Sequence, residues 1–576
     1  MNFESLANEL LLDIFEYFNA IQLLHTFHDL NIRFNKLIYL YLQSYPLDFR
    51  SISKEDFDNI CQKNLPLITN QITSIHLSND DDTPEQPNLF FSFGFHFQQF
   101  TKLQSLSLYY IRSTDLINNI IHDCPHLIYL KISKCNFDDH MEKAQICVNN
   151  IWNLIKLKYC YLDIPFCNNF HIPLSTIISL SLENLSIAND LFNINDLICL
   201  FQHTPNLQNL NLRIEDTSYN EQFPFIIPLL SKLKISFKGS LDTLKNLLQN
   251  MPTLSELIIE TDGIYIDGYQ WEQIIINYLY KLNVFRLLMF YKIDVEKNIN
   301  DEIDQLLESF QTKFWLHDHQ WFVRCDSNTE YGFIYLYTLP YGFKKFYNLA
   351  SDMSKSTCSI DKKYHISNYV NSLSLDYFLL RFASQFPLQF SNINHLELSF
   401  PFDDVIWSIL SKFDRLISIE LVSIIHPDES DRPITHLRLL LNRAINLYSI
   451  TMDYLIMSQL SLVQIINKSI RRLDLIANDG HFYGLECISL IQSFLGDQCE
   501  VLLINIENRS IVLDLVEKMP NLRALTFQCQ DDQWGDSNES LLIEDEFIQW
   551  LKHRLPSNCL VVRDESELSA IRLWIR

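Results

Sequence analysis

Two short clusters in the sequence carry the side chains that metal sites use. His317-Asp318-His319 places two imidazoles around a carboxylate, and imidazole nitrogens and carboxylate oxygens are zinc ligands. No Cys or further His at ligand spacing accompanies them, so a polar helix end explains this cluster better than a metal site. Asp80-Asp81-Asp82 is as acidic as a calcium loop, but it lacks the Gly and the downstream Glu of that motif. We therefore expect a solvated turn there, and no metal or cofactor.

The motifs of the common enzyme families are absent from the sequence. It has no G-x-S-x-G nucleophile elbow, no P-loop, no G-x-G-x-x-G loop and no H-E-x-x-H helix. A hydrolase hidden in the irregular segment 293–365 would need a nucleophile–base pair, and none stands out there. The sequence predicts a protein that is not an enzyme.

The composition excludes several other classes of protein. With 576 residues, 47% of them hydrophobic, the chain is long enough for several domains or one extended repeat array. The net charge of −25 argues against nucleic-acid binding, because neutralising phosphates needs clustered Lys and Arg. No stretch is apolar enough to predict a transmembrane helix. The 13 cysteines stand singly and the N-terminus lacks a basic signal region, so we expect a cytoplasmic or nuclear protein.

The first fifty residues have the spacing of three short amphipathic helices. Apolar residues fall four apart from Leu6 to Phe18, which predicts one apolar helix face. Asn19 breaks this helix and caps a second one, and Asn31 separates the second from a third. Because three such helices bury little surface alone, we expect them to dock on a partner or on the rest of the chain.

This stretch resembles the F-box, whose pattern opens with Leu-Pro-x-Glu-Leu-Leu and continues with Ile-Phe and a Tyr-Leu-like pair. Here the pattern runs from Leu6 through Glu9-Leu10-Leu11 and Ile14-Phe15 to Tyr17-Phe18. The resemblance implies docking on a Skp-type adaptor, which connects to a cullin ubiquitin ligase. Carried over by position, it implies an adaptor-binding surface of eight residues: Leu6, Glu9, Leu10, Ile14, Phe15, Leu23, Leu24 and Phe34.

The sequence departs from the F-box at Ala7, where the family has Pro. Proline at the first helical position presets φ and gives up an N–H that has no helical partner there. Alanine is a good helix former, so the departure weakens the helix start without forbidding it. The alternative interpretation is that the three helices only cap the open end of a repeat array.

A second pattern, an apolar residue followed at +3 and +5 by two more, recurs along the rest of the chain. Its clearest copy is Leu207-x-x-Leu210-x-Leu212, whose final alternation is typical of a strand with one buried face. Helical stretches such as 114–122 lie between the copies. The copies begin at Ile72, Leu103, Leu127, Leu154, Ile177, Leu207, Leu230, Leu254 and Leu282, and again at Val370, Ile393, Leu416, Leu447, Ile470, Cys499, Leu522 and Leu568.

A strand, a loop and a helix in roughly 23 to 31 residues resemble a leucine-rich repeat. The family's Asn or Cys after the strand is mostly missing, and only Cys135, three residues beyond Ile132, lies near that place. The resemblance implies an α/β repeat solenoid, a horseshoe of parallel strands backed by helices. Its outward strand positions would bind a partner. The pattern fails between 293 and 365, where β-like runs at 321–325 and 331–338 predict a central β-hairpin.

Together these patterns predict four segments. They are an F-box-like helical domain at 1–48, a first repeat arc at 49–292, a helix-and-hairpin insertion at 293–365 and a second arc at 366–576. The expected function is substrate recognition in a Skp–cullin–F-box ubiquitin ligase, with the repeats binding an unknown target protein. The alternative is a non-enzymatic interaction scaffold whose N-terminal helices only cap the array. Neither function calls for a cofactor, nucleic acid or membrane.

Overall fold

The residues that the computed structural model describes belong to two units. Unit 1 comprises Met1–Arg213 together with Ile548–Arg576, and unit 2 comprises Ile214–Phe547. The chain therefore begins and ends in the same unit. The described residues are 3–135, 141–164, 172–215, 223–293, 298–328, 330–347, 351, 353–358, 370–375, 389–402, 404, 406–423, 432–453, 456–457, 465, 467–476, 480–532, 545–564 and 567–576.

Unit 1 contains a parallel sheet whose strands follow the order of the sequence. Buried apolar side chains stand beside each other on neighbouring strands, so that Leu108, Ile132 and Leu162 are register partners. Polar and aromatic residues alternate with them and occupy the other face. The strands are β1 Leu47–Asp48, β2 Ser74–Ser78, β3 Ser105–Tyr109, β4 Tyr129–Ser133, β5 Tyr159–Asp163 and β6 Asn184–Phe192, and β7, Asn209–Glu215, contains the boundary with unit 2.

Helices connect these strands, and several have the caps that their sequences predict. The helix predicted at 114–122 is confirmed as Thr114–His122, and Ser113 Oγ accepts a hydrogen bond from Leu116 N at 3.3 Å. The helices of unit 1 are α1 Asn8–Phe15, α2 Ala20–Phe27, α3 Ile32–Ser44, α4 Lys54–Asn59, α5 Leu65–Ile68, α6 Gln86–Ser92, α7 Thr114–His122, α8 Met141–Trp152 and α9 Ile194–His203.

Two repeat positions predicted in unit 1 are wrong. The strands start at Tyr159 and Asn184, and the buried triplets that belong to them begin at Leu157 and Leu182. The copies assigned to Leu154 and Ile177 therefore begin three and five residues too early. Leu180, which the second copy placed in the core, is 70% exposed. Cys160 hid the first copy, since a small apolar thiol takes the place of a leucine there. The buried positions are Leu157, Cys160 and Leu162 in one repeat and Leu182, Leu185 and Ile187 in the next.

The end of the chain returns to unit 1 as an antiparallel hairpin. Its strands are β22, Leu560–Arg563, and β23, Ala570–Trp574. Of the repeat copy predicted at Leu568, Ile571 and Leu573 are buried on β23, whereas Leu568 itself is 56% exposed in the turn before that strand. Trp574 is fully buried against Phe57, with ring centroids 5.4 Å apart, and Lys54 N donates to the Arg576 carbonyl at 2.6 Å. These contacts join the C-terminal hairpin to α4.

Arg572 is the centre of this junction, which we call the terminal clasp. Its guanidinium is fully buried and donates to Asn79 Oδ1 at 3.0 Å, to the Asn79 carbonyl at 2.8 Å and to the Asp80 carbonyl. Asp564 lies 3.8 Å from Arg572 Nε and pairs with Arg112. Burial, and the nearby charge of Arg572, lower the pKa of Arg112 to about 10. The clasp therefore consists of Asn79, the acidic turn 80–82, Arg112, Asp564 and Arg572.

The prediction of a solvated turn at Asp80-Asp81-Asp82 is wrong. Asp82 is buried, and Asp80 Oδ1 accepts from Thr83 N at 3.0 Å and from Thr83 Oγ1 at 2.9 Å. Asp81 lies 3.7 Å from Arg572 Nε. The turn looked solvated because its cationic partner is almost five hundred residues away in the sequence.

Unit 2 contains strands of two sheets. In one, the order is β8-β9-β10-β12-β11-β14, and in the other it is β13-β15-β16-β17-β18-β19-β20-β21. The strands are β8 Lys232–Lys238, β9 Glu256–Asp262, β10 Val284–Lys292, β11 Phe322–Asn328, β12 Phe333–Leu339, β13 Lys345–Tyr347, β14 Met353–Ser356, β15 Ser372–Leu375, β16 His395–Phe400, β17 Ser418–Ser423, β18 Ser449–Thr451, β19 Arg472–Asp474, β20 Val501–Ile506 and β21 Ala524–Cys529.

The central hairpin is confirmed, and it reverses the direction of its sheet. β11 and β12 pair antiparallel, and β12 is also antiparallel to β10. In the other sheet of unit 2 the strands are again parallel, with Leu396, Ile419 and Ile450 as register partners. The helices of unit 2 are α10 Leu241–Leu248, α11 Gly268–Tyr278, α12 Ile299–Ser309, α13 Ile406–Ile409, α14 Arg432–Arg443, α15 Gly484–Gln492, α16 Phe494–Gln498 and α17 Ser510–Lys518, and α18, Glu546–Arg554, contains the second boundary with unit 1. The chain is thus an α/β protein with large, mostly parallel sheets flanked by helices.

Truncating one buried isoleucine tests the packing of the unit 1 sheet. Ile132→Ala is expected to lower the free energy of unfolding of unit 1 by about 2–4 kcal/mol, because Ile132 is fully buried in the middle of β4 and its loss leaves a cavity. Ile155→Ala is the matched control, because Ile155 is exposed in the same unit, and it should cost less than about 0.5 kcal/mol. Urea unfolding followed by circular dichroism measures both values, and equal losses would contradict this packing.

Candidate functional site

The N-terminal helices α1, α2 and α3 are stabilised by caps that the sequence supplies. Asn19 Oδ1 accepts from Gln22 N at 2.8 Å while Gln22 Oε1 accepts from Asn19 N at 3.1 Å, which is a reciprocal capping box at the start of α2. Asn31 Oδ1 accepts from Phe34 N at 3.0 Å at the start of α3. The helix breaks predicted at Asn19 and Asn31 are therefore helix caps.

Arg33 stabilises the helix start that lacks the usual proline. Ala7 precedes α1 and makes no side-chain cap. Arg33, on α3, donates from Nε to Asn8 Oδ1 at 2.8 Å and from its terminal nitrogens to the carbonyls of Glu4 and Leu6. These bonds fix the chain entering α1 against the start of α3. The sequence signal for this contact was weak, because Arg33 is twenty-five or more residues away from its partners.

An aromatic cluster forms the core of the three helices. The Phe27 ring lies 5.2 Å from that of Phe15, 5.5 Å from that of Phe34 and 5.7 Å from that of Phe3, measured between centroids. Phe15 and Phe34 are buried by this packing. Such ring pairs add about 0.5–1.5 kcal/mol each beyond the area that they bury. The helices thus have a core of their own.

The structure separates the eight predicted adaptor-binding residues into buried and exposed groups. Leu10 is 50% exposed, Glu9 is exposed, and Leu6 and Ile14 are half-buried. The other four are buried inside the chain: Phe15, Leu23, Leu24 and Phe34. In this conformation these four residues belong to the core beneath the surface and are not part of the surface itself. The spacing did not separate the two groups, because an amphipathic pattern is the same for a docking face and for a core.

Sequence reasoning missed three exposed apolar side chains in this region. Tyr17 is 88% exposed, Ile32 is 76% exposed, and Leu30 is also exposed. Tyr17 continues the spacing of Leu10 and Ile14, which offered a signal for it. Ile32 adjoins Arg33, whose bonds to residues 4–8 place the start of α3 beside the start of α1. Exposed apolar side chains of this size are candidates for a protein-binding surface.

The helices also contact the segment that follows them. Thr73 Oγ1 donates to the Leu42 carbonyl at 3.0 Å, and His25 Nε2 lies 3.2 Å from Asp56 Oδ1. Asn64 Nδ2 lies 3.2 Å from His28 Nδ1. The faces of α2 and α3 that make these contacts are therefore occupied by unit 1 itself.

The second candidate surface is the polar face of the unit 1 sheet, meaning the side chains of β2–β5 that alternate with the buried ones. Lys131 and Tyr161 are register partners, and Tyr109 stands on the strand before them. Lys131 Nζ lies 5.1 Å from the ring centroids of both Tyr109 and Tyr161. The exposed rings of Tyr129 and Tyr159 are 6.5 Å apart on the next row. Sequence reasoning expected binding anchors on this face without identifying them.

The asparagines between the leucines of β7 bond sideways to β6. Asn211 Nδ2 donates to Ser186 Oγ at 2.8 Å, and Asn209 Nδ2 donates to Asn184 Oδ1. These bonds connect neighbouring strands on the polar face.

The His317-Asp318-His319 cluster lies in a π-helical turn, Phe314–His319. His319 stacks on Trp321 with ring centroids 4.2 Å apart, and burial lowers the pKa of His319. Among the described residues, no group of three or more His, Cys, Asp or Glu side chains is arranged to hold a metal ion. The stacking accounts for the position of His319.

Burial suppresses the reactivity of Cys135, which follows β4, and of Cys160, which lies on β5. It raises the pKa of Cys135 and of Cys160 to about 12, although backbone hydrogen bonds oppose the shift at Cys135. Since the thiolate is the nucleophile, iodoacetamide at pH 8 should alkylate both at least about a hundredfold more slowly than the partly exposed Cys199. Peptide mapping by mass spectrometry measures the rates, and labelling in urea is the control. Equal rates in the native protein would contradict this burial.

The described part of the chain contains no helix with both the length and the apolarity that crossing a bilayer requires. Comparison of the chain with models of known protein families found no matching family, and comparison with curated protein sequences found no match.

Proposed function

We propose that the chain is the substrate-recognition subunit of a Skp–cullin–F-box ubiquitin ligase. Residues 1–48 are an F-box that docks on a Skp-type adaptor, and leucine-rich repeats bind a target protein. The chain itself does no bond chemistry, and it acts in the cytoplasm or the nucleus, where cysteines such as Cys135 stay reduced.

The observation that carries this proposal is the pair of properties found in the N-terminal helices. Their aromatic core is complete without Leu10 or Tyr17, yet both side chains are exposed on the surface. Large apolar side chains that stay exposed do not stabilise the fold, so we infer that a partner covers them. Leu10, Ile14 and Tyr17 all belong to the motif that resembles the F-box.

The sheet of unit 1 supports the leucine-rich-repeat part of the proposal. Each strand from β2 to β5 buries apolar residues in register with the next, with one helix or more between strands. Cys135 stands near the place of the family's Asn or Cys: its Sγ accepts from Ile111 N at 3.2 Å and lies 3.6 Å from the Leu108 carbonyl. It thereby satisfies backbone groups of the loop after the strand, which is why a repeat needs a small polar side chain there.

A second candidate function is a non-enzymatic scaffold in which the N-terminal helices only cap the repeats. The contacts of Leu42 with Thr73 and of His25 with Asp56 favour it, because they seat the helices on the following segment. The exposed apolar residues Leu10, Tyr17 and Ile32 favour the adaptor, because a cap leaves them uncovered.

Reconstitution distinguishes the two functions. The full-length chain, a Skp-type adaptor and the adaptor-binding domain of a cullin are mixed and separated by size-exclusion chromatography with light scattering. The ubiquitin-ligase proposal predicts one complex with one copy of each protein. A chain that elutes alone from this mixture would overturn it and leave the scaffold. Point variants are preferable to deletion of residues 1–45, because deletion also uncovers the surface around Asp56 and Thr73.

A further inference from the structure

The polar face of unit 1 holds a lysine between two tyrosine rings. Lys131 Nζ lies 5.1 Å from the Tyr109 centroid and 5.1 Å from the Tyr161 centroid, so the ammonium is partly removed from water. In the part of the chain that the structure describes, Lys131 makes no ion pair. An ammonium in this position has already lost part of its hydration. Its attraction to an incoming anion is therefore stronger than that of a fully exposed ammonium.

Arg50, whose guanidinium lies 4.7 Å from the Tyr109 ring centroid, is already neutralised. Arg50 donates from Nε to Asp48 Oδ1 at 2.9 Å and from its terminal nitrogen to Asp48 Oδ2 at 2.6 Å. Burial raises the pKa of Asp48, but hydrogen bonds from His76 and Arg50 lower it by more. The pKa of Asp48 therefore lies well below its ordinary value. Asp48 is therefore ionised and cancels the charge of Arg50, so Lys131 is the cation available to a ligand.

The acidic residue that follows Tyr161 on the same face also has its partners. Asp163 is buried, its Oδ2 accepts from Ser133 Oγ at 3.2 Å, and its Oδ1 accepts from Asn189 Nδ2 at 2.6 Å. Both oxygens are thus held at the far end of the strand from Tyr129 and Tyr159. An anion approaching Lys131 meets this carboxylate only at one edge.

Tyrosine side chains on the same face complete the surface. Burial raises the pKa of Tyr129 and of Tyr161, so both phenols remain protonated and can donate hydrogen bonds at neutral pH. Tyrosine side chains offer a large contact area at a small cost in side-chain entropy. The strands that carry them pair in continuous register, so the side chains are held in place before any ligand arrives.

We propose that Lys131, with Tyr109, Tyr129, Tyr159 and Tyr161 around it, binds an extended acidic segment of the target protein through one aspartate or glutamate carboxylate. The inference rests on the proposed function, because it names the chemistry of the target. A single available ammonium matches a carboxylate, whereas phosphate recognition uses several clustered cations. The net charge of −25 repels an acidic segment, so binding at this site depends on the local attraction of Lys131.

Peptide pools of matched composition test this site on the full-length chain. Each pool holds nine-residue peptides with random flanks and a central glutamate, glutamine or phosphoserine. The wild-type chain is expected to bind the glutamate pool about tenfold more tightly than the glutamine pool, and Lys131→Gln should abolish that preference. Lys234→Gln is the matched control, because Lys234 is also half-buried in mid-strand, on β8 of unit 2. It should leave the preference unchanged.

Each other outcome overturns the inference. Equal binding of the glutamate and glutamine pools, no binding of any pool, or a preference that survives Lys131→Gln would exclude Lys131 as the carboxylate site. If the phosphoserine pool binds most strongly, the site recognises a phosphate group and not a carboxylate. Adaptor binding is measured on the same preparations. Absence of a glutamate preference in the wild-type chain, with intact adaptor binding, defeats this inference alone. A glutamate preference in a wild-type chain that does not bind the adaptor defeats the proposed function alone.

Discussion

Replacing Arg572 with methionine is expected to lower the free energy of unfolding of unit 1 by about 3–5 kcal/mol. The substitution removes the buried donor of the terminal clasp and leaves the Asn79 and Asp80 carbonyls without its hydrogen bonds. It also leaves Asp564, buried beside Arg112, with one cation fewer. A methionine fills most of the volume, so the loss reports on hydrogen bonds and charge more than on packing.

Urea-dependent hydrogen exchange at the amides of β2 and β3 measures this loss within unit 1. Arg50→Met is the matched control in the same unit, because Arg50 and its partner Asp48 are partly exposed. Screening by water limits such a pair to about 0–1 kcal/mol. If the two variants are equally stable, the terminal clasp does not stabilise the unit.

Replacing Leu10 with aspartate is expected to weaken adaptor binding by more than about a hundredfold. Leu10 is half exposed on α1, and a charge at the centre of an apolar interface must be desolvated without a partner. The aromatic core is not touched, so the helices should stay folded. Adding Ile14→Asp should leave no measurable binding.

Surface plasmon resonance against an immobilised Skp-type adaptor measures this effect, and circular dichroism checks the fold. Leu67→Asp is the matched control, because Leu67 is an exposed leucine in α5, outside the three N-terminal helices. It should bind as the wild type does. Loss of binding in both variants would mean that any new surface charge interferes. Loss of helical signal in Leu10→Asp would mean that Leu10 supports the fold, as the capping alternative requires.

Local patterns predicted most of the parallel strands, because a buried face imposes alternation that the sequence shows directly. The copies at Leu106 and Leu130 stand in register as their spacing requires. The pattern did not locate a strand correctly where a core position holds a different type of residue from the expected leucine or isoleucine. Cys160 concealed one copy, and an irregular segment before β6 displaced the copy that was assigned to Ile177.

Contacts between distant residues were beyond local patterns. Nothing near Asp80 indicates that Arg572 binds its carbonyl, and the hairpin that carries Arg572 looked like one more repeat at Leu568. In the N-terminal helices, amphipathic spacing located the apolar residues but did not divide them between core and surface. Phe34 proved to be core, while Tyr17 and Ile32 proved to be exposed.

Isothermal titration of a Skp-type adaptor into the full-length chain measures the proposed docking of the N-terminal helices without any substitution. We expect one binding site with a dissociation constant below about 1 µM, as for an apolar interface of standard size. The absence of any binding heat at adaptor concentrations of about 50 µM, at two temperatures, would contradict it.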